Sequence, residues 1–88
     1  MKVEFLKNFS KDLDQLQGKL IRQSLQRTIE SLETADSLRT ISNLKKLKGR
    51  KSAYRIRIGD YRLGFFYENS IISLARFVNR KDIYTLFP

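Results

Sequence analysis

The sequence predicts an α+β fold. A single small domain carries a mostly antiparallel sheet, a helical hairpin on one face of it, and a short C-terminal turn or helix. Three observations predict this. Over residues 54–65, on either side of Gly59-Asp60, apolar side chains alternate with arginine or glycine, the period of half-buried strands. Over residues 9–32 the apolar side chains recur at three- and four-residue spacing, as on one stripe of a helix. Gly18, Gly59-Asp60 and Glu68-Asn69-Ser70 fall where these patterns break. Eighty-eight residues with 41% hydrophobic content suit one domain, residues 1–88, with a modest core.

The elements follow in order. Residues 2–6 alternate like a short strand, with Val3 and Phe5 on one side. Asn8 or Ser10 is expected to cap a first helix in which Phe9, Leu13 and Leu16 align. Asp12 and Asp14 would sit favourably near its positive N-terminal end, and Gly18 would stop it. A second helix is expected over about residues 19–33, with Ile21, Leu25, Ile29 and Leu32 as its apolar stripe and Gln23, Gln26, Arg27 and Glu30 solvated. The short break between them predicts an antiparallel pair packed on the sheet, and the stripe is too short for a coiled coil. Leu38, Ile41, Leu44 and Leu47 recur every three residues and predict an irregular or 3₁₀-like connector.

Residues 45–51, KKLKGRK, then read as a basic turn. Residues 53–67, AYRIRIGDYRLGFFY, read as a hairpin with the two-residue turn Gly59-Asp60. That register sets Ile58 opposite Tyr61 and Arg57 opposite Arg62. Tyr54, Ile56, Ile58, Tyr61, Leu63 and Phe65 share the face turned to the helices; Arg55, Arg57 and Arg62 share the other. Residues 71–78 complete a meander, and residues 79–84 leave it as a turn or short helix. The predicted order is β-α-α-β-β-β.

Charge supplies the functional signal. The formal net charge is +9, unevenly spread. Residues 1–36 hold six basic and six acidic residues, whereas residues 37–88 hold twelve basic and three acidic. Residues 37–59 contain no acid but eight lysines or arginines. Such asymmetry predicts a polyanion partner, nucleic acid first. Lys45, Lys46, Lys48, Arg50 and Lys51 suit the tracking of a phosphate backbone. Arg57 opposite Arg62 works against the sheet, because like charges across a ladder repel. The chain has no cysteine and no histidine, which excludes thiolate and imidazole nucleophiles, bases and metal ligands. No Gly-rich phosphate loop and no nucleophile elbow occurs. Asp12 and Asp14 read as dipole partners of a helix, so neither metal nor cofactor is expected. The first nine residues do not read as a signal peptide, and no run approaches the roughly 18 apolar residues of a membrane helix. A soluble, cytoplasmic protein without a membrane partner is the expectation.

Arginine forks grip phosphates, and aromatic rings such as Phe66 stack on unpaired bases. RNA brings its own nucleophile, the 2′-hydroxyl. A protein that aligns it with the scissile phosphate and stabilises the added charge can cleave RNA without metal, leaving a 2′,3′-cyclic or 3′ phosphate.

Residues 47–69, LKGRKSAYRIRIGDYRLGFFYEN, with residues 75–84, ARFVNRKDIY, resemble the RelE/ParE superfamily of bacterial type II toxin–antitoxin toxins. The shared pattern is Leu-Lys-Gly, a Tyr-Arg-Ile-Arg-like strand, Gly-x-Tyr-Arg, and a final His-Arg-x-x-Ile-Tyr. For the RelE branch the resemblance implies an mRNA endoribonuclease, a branch in which cleavage often takes place in the ribosomal A site. Arg55 and Arg57 match basic positions of the sheet face. Arg62 matches the arginine that stabilises the transition state, Arg80 the one assigned to the leaving group, and Tyr84 the tyrosine that orients or stacks on substrate. Asn79 departs from the pattern's histidine. Arg57 stands where some members have a lysine proposed as general base; a guanidinium with a pKa above about 12 is a charge stabiliser instead, leaving proton removal to water, Tyr84 or the ribosome. The implied partners are a cognate small acidic antitoxin, mRNA and the ribosome.

Plainer readings stand beside these. Arg55 and Arg57 would serve an edge strand by deterring aggregation, Tyr84 would follow Ile83 and Leu86 into the core, and Arg76 would be structural or solvated. A ParE-like inhibitor of DNA gyrase and a decayed, non-catalytic homologue that binds nucleic acid or antitoxin are the competing functions.

Overall fold

The computed structural model describes residues 1–49 and 52–88. The chain runs through β1 (Lys2–Phe5), α1 (Lys7–Gln15), α2 (Lys19–Thr34), a 3₁₀ turn (Leu38–Thr40), β2 (Leu44–Lys46), β3 (Ala53–Ile58), β4 (Tyr61–Glu68), β5 (Ile71–Asn79) and α3 (Ile83–Leu86). One sheet has the order β1-β5-β4-β3-β2. Its pairings are antiparallel except that β1 lies parallel to β5.

Both turns of the meander follow from local chemistry. Gly59 takes a positive φ of 58° and closes the β3–β4 hairpin, which sets Ile58 opposite Tyr61 and Arg57 opposite Arg62 as expected. Asn69 and Ser70 both have positive φ, 52° and 62°, the pattern of a type I′ turn whose twist matches that of the strands it joins.

The helices cover one face. Phe9 and Leu16 from the first helical region and Leu25 and Leu32 from α2 pack on Ile56, Ile58, Leu63, Phe65, Ile72, Leu74 and Phe77. α1 lies over β5, and α2 over β1 and β3. Phe9, Leu32, Leu63 and Phe65 are fully buried, each removing apolar surface that stabilises the fold by about 2 kcal/mol.

The opposite face holds a second, smaller cluster. Ala53, Ala75, Ile83 and Phe87 pack together with Leu47, Phe66 and Val78. A bulge in β5 makes this possible: Phe65 faces Leu74 but Gly64 faces Arg76, so Ala75 is the extra residue. The phase of β5 therefore changes, placing Leu74 and Phe77 in the helix-side core and Ala75 and Val78 in the smaller one. Gly64 makes room for α3. A Cβ there would lie 2.5 Å from the Phe87 ring, closer than carbon atoms approach.

Four expectations are corrected. The sheet has a fifth strand, β2, where a basic turn was expected. Its residues pair with Tyr54, Arg55 and Ile56, and three residues with one inward leucine are too few for period-2 alternation to register. Neither Asn8 nor Ser10 caps α1. Leu6 is the cap residue and makes no side-chain bond. Its N–H still donates to the Leu74 carbonyl (2.9 Å) while its carbonyl accepts from Ser10 N–H (3.1 Å), so strand passes to helix with no room for a capping turn. Gly18 does not stop α1, which ends at Gln15 with Leu16 as its cap residue; the end is closed from outside, where Arg22 donates through Nε and Nη2 to the Leu16 carbonyl (3.2 and 2.7 Å) and through Nη2 to that of Leu13 (2.7 Å). Finally, Asp12 is no dipole partner, since the first turn of α1 holds no acid. Its carboxylate accepts from Arg76 Nε and Nη2 (2.9 and 3.0 Å) and from Phe77 N–H (2.9 Å). β1 pairs with β5 only as far as Leu74, and Asp12 occupies the ladder position that the missing strand leaves open.

Candidate nucleic-acid interface

The face of β3 and β4 turned away from α1 and α2 is divided. Its β4–β5 side is roofed by α3, and its β2–β3 side is open. At the boundary lies a shallow recess of about 370 Å³ lined by Asn43, Leu44, Lys45, Arg55, Arg57, Arg62 and Tyr84. The alternation of β3 delivers Arg55 and Arg57 to this face, the register of the hairpin delivers Arg62, and the cross-strand pairing of β2 delivers Lys45 opposite Arg55. Tyr84 arrives from α3, which Ile83 and Phe87 anchor.

The three arginines meet neutral partners. Arg55 lies over the Tyr84 ring, with Cζ 4.7 Å from the centroid. Arg57 donates through Nη2 to Asn43 Oδ1 (3.3 Å). Arg62 turns back over the hairpin and donates through Nη1 to the carbonyls of Gly59 and Tyr61, both at 2.9 Å. Arg57 and Arg62, directly opposed on the backbone, thus point to different acceptors, as mutual repulsion requires. No carboxylate lines the recess. Among the described residues the one arginine held by an acid is Arg76, bound to Asp12 at the edge of β5, so its charge is compensated away from the recess.

The remaining predicted site residues lie elsewhere. The Arg80 N–H donates to the Asp60 carbonyl (2.8 Å), which sets Arg80 beside the hairpin turn; it is exposed and does not line the recess. Lys46 pairs with Tyr54 and is exposed, and Lys48 is exposed just beyond β2. Arg50 and Lys51 lie outside the described residues. Phe66 is half-buried, its ring held against Phe87 with centroids 5.1 Å apart, so it supports α3 rather than the recess. Tyr84 is 72% exposed and does not follow Ile83 into the core, and Leu86 is exposed too. Sequence reasoning passed over Asn43 and Leu44, which reach the site only because β2 exists. The available signal was Asn43 itself, an asparagine between apolar positions at a place where the chain turns. Its φ is 63°, and asparagine is among the few residues that adopt this conformation readily.

No helix among the described residues is long and apolar enough to cross a membrane, and no group of three or more acidic side chains there is arranged to hold a metal ion.

Fold and recess together define a class: a small histidine-free α+β domain that presents uncompensated arginines from a sheet face, with a tyrosine at their rim. No protein-family profile matches the sequence. Toxin RelE3 of Methanocaldococcus jannaschii is 40% identical over 89 residues, spanning the whole of both chains. In the crystal structure of a RelB-RelE antitoxin-toxin complex from Methanococcus jannaschii, the matching chain is 38% identical, with a TM-score of 0.82, covering 97% of this chain and 99% of that one. In an archaeal RelE-RelB complex from Pyrococcus horikoshii the identity is 25% and the TM-score 0.73, over 90% and 93% of the two chains. The chain belongs to the RelE toxin family.

Proposed function

We propose that this RelE-type toxin of a type II toxin–antitoxin system is an mRNA endoribonuclease that blocks translation. One observation carries the reading: Arg55, Arg57 and Arg62 converge on a single recess, each bound only to a neutral group. A face that keeps its positive charge uncompensated is built for an anion from outside.

The chemistry follows from what the recess offers. The substrate 2′-oxygen attacks the adjacent phosphorus and a P–O2′ bond forms. The P–O5′ bond breaks, giving a 2′,3′-cyclic phosphate and a 5′-hydroxyl. The proton lost from the 2′-hydroxyl passes to water, and the departing 5′-oxygen regains one. Arg57 and Arg62 stabilise the added charge on the pentacoordinate phosphorus, where preorganised donors act most strongly. Arg80, exposed beside the hairpin turn, serves the departing oxygen. Tyr84, braced on one side by Arg55, offers its exposed ring to a base. Lys45, Lys46, Lys48, Arg50 and Lys51 follow the backbone of the strand. The ribosome supplies the mRNA in an aligned conformation. The cytoplasm is the setting, and a cognate acidic antitoxin, as the RelB partners of the relatives suggest, neutralises the toxin.

The test is primer extension on cellular mRNA after brief induction without antitoxin, with Arg57→Ala and Arg62→Ala alongside. Discrete breaks ending in cyclic phosphate are expected, and each substitution should slow cleavage by about 10²-fold. Intact mRNA accompanied by gyrase-linked DNA breaks would overturn the reading.

A further inference from the structure

Arg57 is the most exposed of the three recess arginines and faces Arg62 across the ladder. Left alone, it would swing into solvent, away from its like-charged neighbour. The Asn43 side chain opposes this, and its backbone pairs with that of Arg57. Its carbonyl accepts from the Arg57 N–H at 3.2 Å, and its side-chain Oδ1 accepts from Arg57 Nη2 at 3.3 Å. The backbone of Asn43 is left-handed, with φ 63°, and its carbonyl and side chain both meet Arg57 of β3. Asn43 also stands between two recesses, lining the arginine recess and a smaller one of about 160 Å³ formed with Thr28, Ser31, Thr40, Ser42 and Arg57.

Resting on the nuclease reading above, we infer that Asn43 is a positioning residue: its side-chain amide holds the Arg57 guanidinium toward the scissile phosphate while leaving its charge intact. The choice of residue type makes the claim specific. Aspartate would hold arginine more strongly, through a charge-assisted bond, but it would cancel the charge the phosphate needs and repel the RNA. Glycine would keep the left-handed backbone and the main-chain bond while losing the side-chain acceptor. An amide meets both requirements, acceptor and neutrality.

The experiment is single-turnover cleavage of mRNA on programmed ribosomes by the wild-type protein, Asn43→Gly, Asn43→Asp, Arg57→Ala and Asn43→Gly/Arg57→Ala. The Gly variant should cleave about tenfold more slowly, the effect of one lost hydrogen bond, with half-saturation changed less than about twofold. The Asp variant should instead raise half-saturation by about tenfold, because its carboxylate opposes the phosphate. In the Arg57→Ala background Asn43→Gly should have no further effect, since a positioning residue has nothing left to position. A tenfold loss that persists without Arg57, or a Gly variant as fast as wild type, overturns the inference alone. If the wild-type protein leaves mRNA intact, the nuclease reading falls and the inference falls with it.

Discussion

Arg57 and Arg62 are tolerated because each guanidinium finds a neutral acceptor that draws it away from the other, Asn43 in one case and the hairpin carbonyls in the other. Asp12 and Arg76 show the opposite arrangement. The Asp12 carboxylate is nearly buried, with its side chain 9% exposed, and both oxygens are used by Arg76, one of them also by the Phe77 N–H. Removing the carboxylate leaves a partly buried guanidinium and a ladder N–H without partners. Asp12→Ala should therefore destabilise the protein by about 3 kcal/mol, the low end for a broken buried pair because Arg76 retains some solvent. In thermal unfolding this is a fall in Tm of roughly 12 °C or more. Asp12→Leu with Arg76→Met should recover most of it, because no charge is then stranded. A Tm within about 2 °C of wild type for Asp12→Ala would show that the pair contributes no more than a surface contact.

α3 is the element on which the site turns, and it is four residues long. Too short to be stable alone, it holds its place through Ile83 and Phe87, and Phe87 lies against the bare Cα of Gly64. Gly64→Ala should displace the Phe87 ring and free α3, and Tyr84 with it. The amides of Leu86 and Phe87, which donate to Asp82 and Ile83, should then lose hydrogen-exchange protection while those of β4 and β5 keep theirs. Equal protection in both proteins would mean that the ring shifts without releasing the helix. This dependence was not legible in the sequence, because Gly64 sits inside a strand pattern and nothing local marks what crosses it. The hairpin register was legible: a two-residue turn leaves one pairing, and a slip would bury Arg55, Arg57 and Arg62. The helix stripes were legible for the same reason, one face apolar and one not. What escaped was set by distant partners: β2 by β3, the cap of α1 by β5, and the role of Asp12 by Arg76. The packing of Phe66 was not legible either, since an alternating aromatic next to arginines looks the same in sequence whether its ring faces outward or lies against Phe87. Of the site, Arg55, Arg57, Arg62, Lys45 and Tyr84 do converge, whereas Arg80 belongs to the hairpin turn.

For the whole molecule, the proposed function turns on which charges an RNA strand would meet. The net charge of +9 overstates the answer, because Arg39, Arg80 and Lys81 do not line the recess. If every excess charge met a phosphate, the logarithm of affinity would fall with the logarithm of salt at a slope of about −6 for a single strand. The recess holds three arginines and Lys45 and accounts for a slope of about −3. Lys46 and Lys48, exposed along and beyond β2, can meet about two further phosphates only if the strand is long enough to reach them. The slope should therefore depend on length. A 2′-O-methylated pentanucleotide, which has four phosphates and cannot be cleaved, should give about −3 in fluorescence anisotropy, and a 2′-O-methylated strand of about ten nucleotides should approach −4. Lys46→Gln with Lys48→Gln should return the long strand to the slope of the short one without changing the short one's affinity. Equal slopes for the two lengths would confine binding to the recess. A slope near −6 for the long strand would mean that it is held by a diffuse field rather than by the arginines that the β3–β4 register brings together.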